Sequence, residues 1–325
     1  FHNLYIKSTL VETVADMVGI NSDMIDLACG KAGDLHKWIN SKLNFVFGID
    51  ISKDNIENSK DGACVRYYQT KQKYKNMNKL DEMPEMIFSA GDTSKKINNG
   101  DCTKDPNYKH LLKVLYANPE IDKDKLNENM RKLWGKANNQ FEICSIQFAL
   151  HYYFKDIETL RGVLNNISEN TKVGGYFIGT CFDGKTLFKR LKSLKKGESI
   201  EGNIERNRIW KIKKDYENKT FPDNISSIGY PIWVYMETIN QMFKEYLVNF
   251  DLLIILMKEY GFELESDENL TEYKIKSTGL FSDLFKNMIN SGKEYKDASK
   301  MTEKEKEISF INRYFIFKKV SKDKI

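Results

Sequence analysis

The sequence predicts an α/β doubly wound fold, with a central, mostly parallel sheet flanked by helices. Three observations predict it. Residues 24–28 (MIDLA) form a short apolar run that ends in a glycine-containing turn. A helical stretch through Leu35 and Trp38 follows, and a second apolar run, residues 45–50 (FVFGID), closes on an acid. Strand, turn, helix, strand and acid make up the opening unit of a nucleotide-type parallel sheet, whose strands are covered on both faces and so read as continuous apolar runs. Beyond this unit, runs with strand character alternate with helical stretches, as helices packed on both faces of a sheet require.

Further strands are expected at residues 85–89, 141–146, 175–180, 261–265 and 312–318, and helices at 157–166 and 250–260. The connections at 71–83 and 100–139 are long and polar and are expected as surface insertions, although 108–117 and 126–133 have helical spacing. No internal repeat or low-complexity stretch interrupts the chain.

Composition narrows the class. Hydrophobic residues at 41% and aromatic residues at 12% of 325 argue against disorder. The five cysteines, Cys29, Cys64, Cys102, Cys144 and Cys181, are scattered without a CxxC pair or a histidine cluster, so neither a metal site nor a disulfide framework is expected. Cys29 and Cys144 are assigned to packing. The longest apolar run, residues 252–257, is far too short to cross a bilayer, and the start does not resemble a signal peptide. A reducing compartment such as the cytoplasm is expected, with no membrane partner and no secretion. Phe1 in place of an initiator methionine is expected of a piece of a longer polypeptide.

The formal net charge is only +5, yet residues 185–219 hold 12 Lys/Arg against 5 Asp/Glu, a local excess of +7. Such segregation suits a groove for a polyanion, because each phosphate neutralised releases counterions. A solvated lysine-rich surface is the alternative reading of the same charges.

The turn at residues 26–34 (DLACGKAGD) carries the first chemistry. Its small residues let the backbone approach a ligand at a helix start. Neither a phosphate-binding GxxxxGK[ST] nor a full GxGxxG is present, since the only glycines are Gly30 and Gly33. Asp26 and Asp34 flank the turn and would repel a phosphate, whereas an ammonium and a sulfonium would be attracted. This charge pattern favours S-adenosylmethionine over a dinucleotide. Asp50, at the tip of the second strand, is placed to accept both ribose hydroxyls. Asp92, in the GDTS run after the third strand, is placed to accept from the adenine amine. Any one of these acids alone would equally be a helix N-cap.

With these residues in place, the sequence resembles the mRNA cap guanine-N7 methyltransferases, most closely those encoded by large DNA viruses. The segments that carry the resemblance are residues 1–7 (FHNLYIK), 26–38 (DLACGKAGDLHKW), 91–94 (GDTS), 143–153 (ICSIQFALHYY), 174–180 (GGYFIGT) and 245–250 (EYLVNF). Their order and spacing cover most of the chain. The resemblance implies a Rossmann-like methyltransferase fold over 1–325, with a basic insertion near 185–219, as part of a longer multifunctional capping enzyme. It implies Lys7 at the carboxylate of the donor, Gly30 and Asp34 around its methionine part, and Gln147 with Phe148 closing over it. For the cap it implies Asn3, His151, Tyr152 and Glu245 around the guanosine, and Arg66 near the phosphates. The implied partners are the capped 5′ end of mRNA, with other capping domains or a stimulatory subunit. Ala28 and Ala32 depart from the glycines that many members carry in the cofactor turn. Asn312 stands where many members have a cap-contacting tyrosine; Tyr314 is expected on the opposite strand face, so that contact is not assigned.

Guanine N7 has a free lone pair, so it can attack a sulfonium methyl in line without losing a proton. No catalytic base is expected, and holding the reactants in attack geometry is worth up to roughly 7–11 kcal/mol. A carboxylate at position 245 would accept from guanine N1–H and the exocyclic amine, a donor pair adenine lacks. Without the resemblance, His151 would read as a structural histidine, Lys7 as a surface lysine on a helix, Glu245 as a solvated helix residue and Gln147 as a strand-end amide. Two rival functions share the same turn: a methyltransferase of small molecules, and a catalytically weak cap- or RNA-binding module.

Overall fold

A computed structural model describes residues 1–291 and 296–321; the last four residues of the expected 1–325 domain lie outside them. The strands are β1 (Asp23–Asp26), β2 (Phe45–Asp50), β3 (Glu85–Ala90), β4 (Phe141–Gln147), β5 (Thr171–Phe182), β6 (Ser199–Ile204), β7 (Asn207–Lys214), β8 (Pro231–Met236), β9 (Gln241–Tyr246), β10 (Phe262–Leu264), β11 (Thr278–Leu280) and β12 (Asn312–Lys319). The helices are α1 (Lys7–Val18), α2 (Leu35–Asn40), α3 (Lys53–Glu57), α4 (Ala63–Asn76), α5 (Pro106–Leu115), α6 (Glu128–Leu133), α7 (Leu150–Tyr153), α8 (Ile157–Asn170), α9 (Gly184–Arg190), α10 (Phe250–Glu259), α11 (Phe281–Asn290) and α12 (Glu303–Ser309). A π-helical turn, His2–Ile6, leads into α1.

The main sheet has the order β10-β12-β5-β4-β1-β2-β3, with β11 beside β12. The pairs β1–β2, β2–β3, β1–β4 and β4–β5 are parallel, and β12 runs antiparallel to β5. Successive strand residues enter opposite cores, as a period of two dictates. Ile25 and Phe47 pack on one side with Leu160 and Leu164 of α8 and Leu253 and Met257 of α10. Met24 and Val46 pack on the other side with Leu10 and Val14 of α1 and Trp38 of α2. This is the expected doubly wound arrangement, and its order reverses beside β1, which places the turn 26–34 at the switch point where such sheets bind ligands. No described helix is long and apolar enough to cross a membrane.

Two expectations are corrected. Residues 71–83 are no loop: α4 runs through Asn76, and a 3-10 turn, Leu80–Glu82, follows. The basic stretch 185–219 is only partly a surface. It contributes α9 and the hairpin β6–β7 to a second, antiparallel sheet, β6-β7-β8-β9, inserted between β5 and α10. Trp210, Ile212 and Lys214 alternate inward on β7 while Lys211 and Lys213 point outward, so dense charge masks a strand pattern. Lys214 is buried and donates to the carbonyls of Leu191 and Leu194 at 3.2 and 2.8 Å, capping the end of α9. Lys185 is paired with Asp223 and Asp251. Ile212, Ile232, Val234 and Leu247 form a third core beneath the small sheet, closed by Ile308 and Ile311.

Candidate active site

The turn after β1 is stitched from three directions. Gly30 has φ +53°, a left-handed conformation that glycine adopts at little cost, and its N–H donates to Asp50 Oδ2 at 2.8 Å. Ala32 holds φ +54°, which strains a residue with a Cβ and accounts for glycine in related turns. Asp50, buried at the end of β2, also accepts from Ser52 N and Asn55 Nδ2, each at 2.9 Å. From the loop after β3, Thr93 donates to the Leu27 carbonyl at 2.9 Å, and the Tyr153 hydroxyl lies 2.5 Å from Thr93 Oγ1. The side of the turn at Gly30 and Gly33 is open, since a Cβ built on either meets nothing within 4 Å.

Charge decides what that space accepts. Burial, reinforced by the charges of Asp34 and Asp50, lifts the Asp26 carboxyl to about 7. Burial also opposes ionisation of Asp34, but Lys7 at 3.0 Å and Lys37 at 2.8 Å outweigh it and hold that carboxyl below the usual range. The surplus of buried carboxylate fits an ammonium and a sulfonium and repels a phosphate. Lys7 also lies 5.6 Å from the centre of the Phe148 ring. Asp92 Oδ1 accepts from Ser94 N and Oγ in a local turn, and Oδ2 accepts no hydrogen bond among the described residues.

Gln147 ends β4 and Phe148 follows it. Gln147 is buried between Ser145 and Thr180, to which it donates and from which it accepts at 3.2 and 3.1 Å. Phe148 takes φ +55°, a strained conformation for a bulky residue, held by its N–H to the Thr180 carbonyl at 3.0 Å. His2 stacks on Phe148 at 5.4 Å, and its Nε2 lies 2.6 Å from Ser309 Oγ. His2 lies in the 1–7 segment that carries the resemblance, but the sequence assigned it no role.

The second half of the site lies between α7 and β9. Glu245 is a strand residue that points inward with Ile232 and Val234, which corrects the helical reading of this stretch. Glu245 Oε2 stands 3.6 Å from His151 Nε2, and neither atom has a hydrogen-bond partner. Burial pushes the Glu245 carboxyl up to about 8 and the His151 imidazole down to about 3, so both are neutral near pH 7. Tyr152, 44% exposed, sets its ring edge-on to His151 at 4.3 Å. Burial raises its hydroxyl to about 12, helped by the charges of Glu245 and Asp50, which both reach it.

Two expected residues, Asn3 and Arg66, are not joined to this pocket by a direct contact, and the unassigned Tyr314 lies away from it. Asn3 is exposed on the π-helical turn. Arg66 is exposed on α4 and donates to the Asp61 carbonyl at 2.9 Å; Asp61 in turn holds Lys31 of the cofactor turn at 2.7 Å. Tyr314 shares a strand face with Asn312, two residues away, contrary to expectation, and is buried in the second core. Asn166 of α8 was missed. Its amide donates to the carbonyls of Thr93 and Lys95 at 2.8 and 2.7 Å, which fixes the loop that carries Asp92.

Sheet order, switch-point turn and carboxylate-lined space define an S-adenosylmethionine-dependent methyltransferase of the Rossmann-like class. Residues 1–320 match the mRNA (guanine-N(7))-methyltransferase domain. An mRNA cap guanine-N(7) methyltransferase of rice is 26% identical over 321 residues, covering 98% of this chain and 73% of that protein. A Saccharomyces cerevisiae protein of that name is 27% identical, covering 91% of this chain and 59% of its own. A probable mRNA-capping enzyme of Acanthamoeba polyphaga mimivirus is 28% identical over 299 residues, 90% of this chain but 22% of that protein. The chain belongs to the mRNA (guanine-N7)-methyltransferase family.

Proposed function

We propose that the two halves of this pocket divide the work of cap methylation, with the 26–34 turn holding the donor and the α7–β9 wall reading the guanine. When bound, S-adenosylmethionine supplies a methyl group on a cationic sulfonium. Asp26, Gly30 and Asp34 hold its methionine part with Lys7 at the carboxylate end; Asp50 takes the ribose, Asp92 the adenine, and Gln147 and Phe148 close over it. Asn3, His151, Tyr152 and Glu245 surround the guanosine, with Arg66 toward the phosphates. The observation that carries this reading is the orphaned pair: His151 Nδ1 and Nε2 and Glu245 Oε2 are buried without partners. Leaving such groups unpaired costs roughly 1–3 kcal/mol each, and a base edge with two donors and an acceptor relieves that cost.

No residue acts as a base in this scheme. His151 stays neutral, Tyr152 offers a stacking surface and a hydroxyl, and Glu245 ionises only against the guanine donors. The chain's contribution is orientation and exclusion of water. Neighbouring capping domains or a stimulatory subunit complete the proposal, which the small share of the mimivirus protein matched here supports. Methyl transfer to GpppG and to ApppA, which has no guanine, tests the reading. Transfer to GpppG at least about 100-fold faster than to ApppA is expected, because adenine leaves Glu245 unpaired. Equal rates would favour a methyltransferase indifferent to the base, and donor binding without any product would favour a binding module.

A further inference from the structure

The small sheet has a second face that the cap pocket does not use. In the registers β7–β8 and β8–β9, Lys213 pairs with Trp233 and Trp233 with Lys244, while Lys211 pairs with Tyr235. Side chains directly paired across strands share a face, so these residues form one surface, opposite the inward Ile212, Val234 and Glu245. Trp233 and Tyr235 are only partly covered and belong to none of the three apolar cores. The Lys244 ammonium lies 5.9 Å from the Trp233 ring and 6.0 Å from the ring of Tyr246. Lys211, Lys213 and Lys244 have no carboxylate partner among the described residues. The acids on this face are engaged: Glu201 pairs with Arg208 at 3.0 Å, and Asp215 accepts from the Trp233 indole at 3.1 Å.

Partly exposed rings interleaved with free ammoniums are the surface on which single-stranded nucleic acid stacks, each ring taking a base and each lysine a phosphate. The surface is continuous with the cap pocket, because β9 carries Glu245 inward and Lys244 outward and is the edge strand of its sheet. We infer that this face binds the single-stranded RNA that follows the cap, passing around the β9 edge onto Lys244, Trp233 and Tyr235. The inference rests on the cap reading above and adds a path for the chain beyond the triphosphate.

The test compares the cap dinucleotide GpppG with a capped RNA of about ten nucleotides as substrates of this chain, in wild type and in two variants. One variant is Lys213→Ala with Lys244→Ala, which removes two ammoniums from the outer face without touching the buried one; the other is Trp233→Leu; thermal unfolding of both is followed alongside. Wild type is expected to show a lower KM for the long RNA than for GpppG. Each variant is expected to raise the KM of the long RNA by about five-fold or more, and the lysine variant also to flatten its salt dependence, with KM for GpppG unchanged within about two-fold. If KM is the same for both substrates in wild type, or if the variants shift both substrates equally or neither, the face carries no RNA. Failure of wild type to methylate GpppG at all would instead sink the cap reading.

Discussion

At the scale of single residues, one buried acid of this site, Glu245, is held ready in an uncharged form. Glu245 is lifted from its ordinary 4.5 to about 8 by burial, so it carries a proton near pH 7 in the free protein. Guanine N1–H and its amine stabilise the anion, so cap binding is expected to release close to one proton. Calorimetry of cap-analogue binding in buffers of different ionisation enthalpy measures it; enthalpies that do not depend on buffer would contradict it. The same shift sets a stability window. A carboxyl whose folded value lies above its unfolded value contributes fully below about 4.5 and loses that contribution as pH rises through about 8. Glu245→Gln is therefore expected to match wild type near pH 4 and to exceed it near pH 8 by on the order of 3 kcal/mol, read by chemical denaturation at both values. A difference independent of pH would show that Glu245 is ionised in the free protein. The acids 26, 34, 50 and 92 were legible in the sequence because each follows a strand in a fixed order. The pairing of His151 with Glu245 was legible only through resemblance, since the two are far apart in the chain and meet through a sheet that spacing did not announce.

Elements place these residues, and the loop after β3 shows how tightly. Asn166 of α8 binds the carbonyls on both sides of Ser94, and a Cβ at Gly162 of the same helix would stand 1.9 Å from the Ser94 carbonyl oxygen. Gly162→Ala is expected to push the loop and Asp92 outward, raising the KM of the methyl donor about ten-fold or more while KM for the cap moves little. Asn166→Ala leaves two buried carbonyls unpaired and is expected to cost roughly 2–4 kcal/mol of stability. An unchanged donor KM in Gly162→Ala would mean that Asp92 is not at the donor. Strands β2, β4 and β12 were readable as apolar runs and fell where expected. The small sheet was not, because a strand with one solvated face puts lysine at every second place and reads as a charge run. Its inward residues Trp210 and Ile212, and the later run Pro231–Met236, were the signal available.

For the whole molecule, the proposed function divides the work between the two sheets, and a charge pair lies at the end of β5, where the chain leaves the main sheet for the small one. Asp183, which caps α9, accepts from Arg313 of β12 at 2.8 Å in a buried setting. Arg313→Ala leaves that carboxylate buried without its cation and is expected to lower stability by roughly 3 kcal/mol, and to raise KM for the cap more than KM for the donor, because it loosens the sheet that carries Glu245. A loss shared evenly by the two substrates would mean that the small sheet does not wall the cap pocket alone. The most direct measurement is the pair of KM values, for donor and for GpppG, in Asp50→Ala and in Glu245→Ala. Asp50→Ala is expected to raise the donor KM about ten-fold or more with the GpppG KM nearly unchanged, and Glu245→Ala to do the reverse. Equal losses on both substrates in both variants would contradict a pocket divided into a donor half and a guanine half.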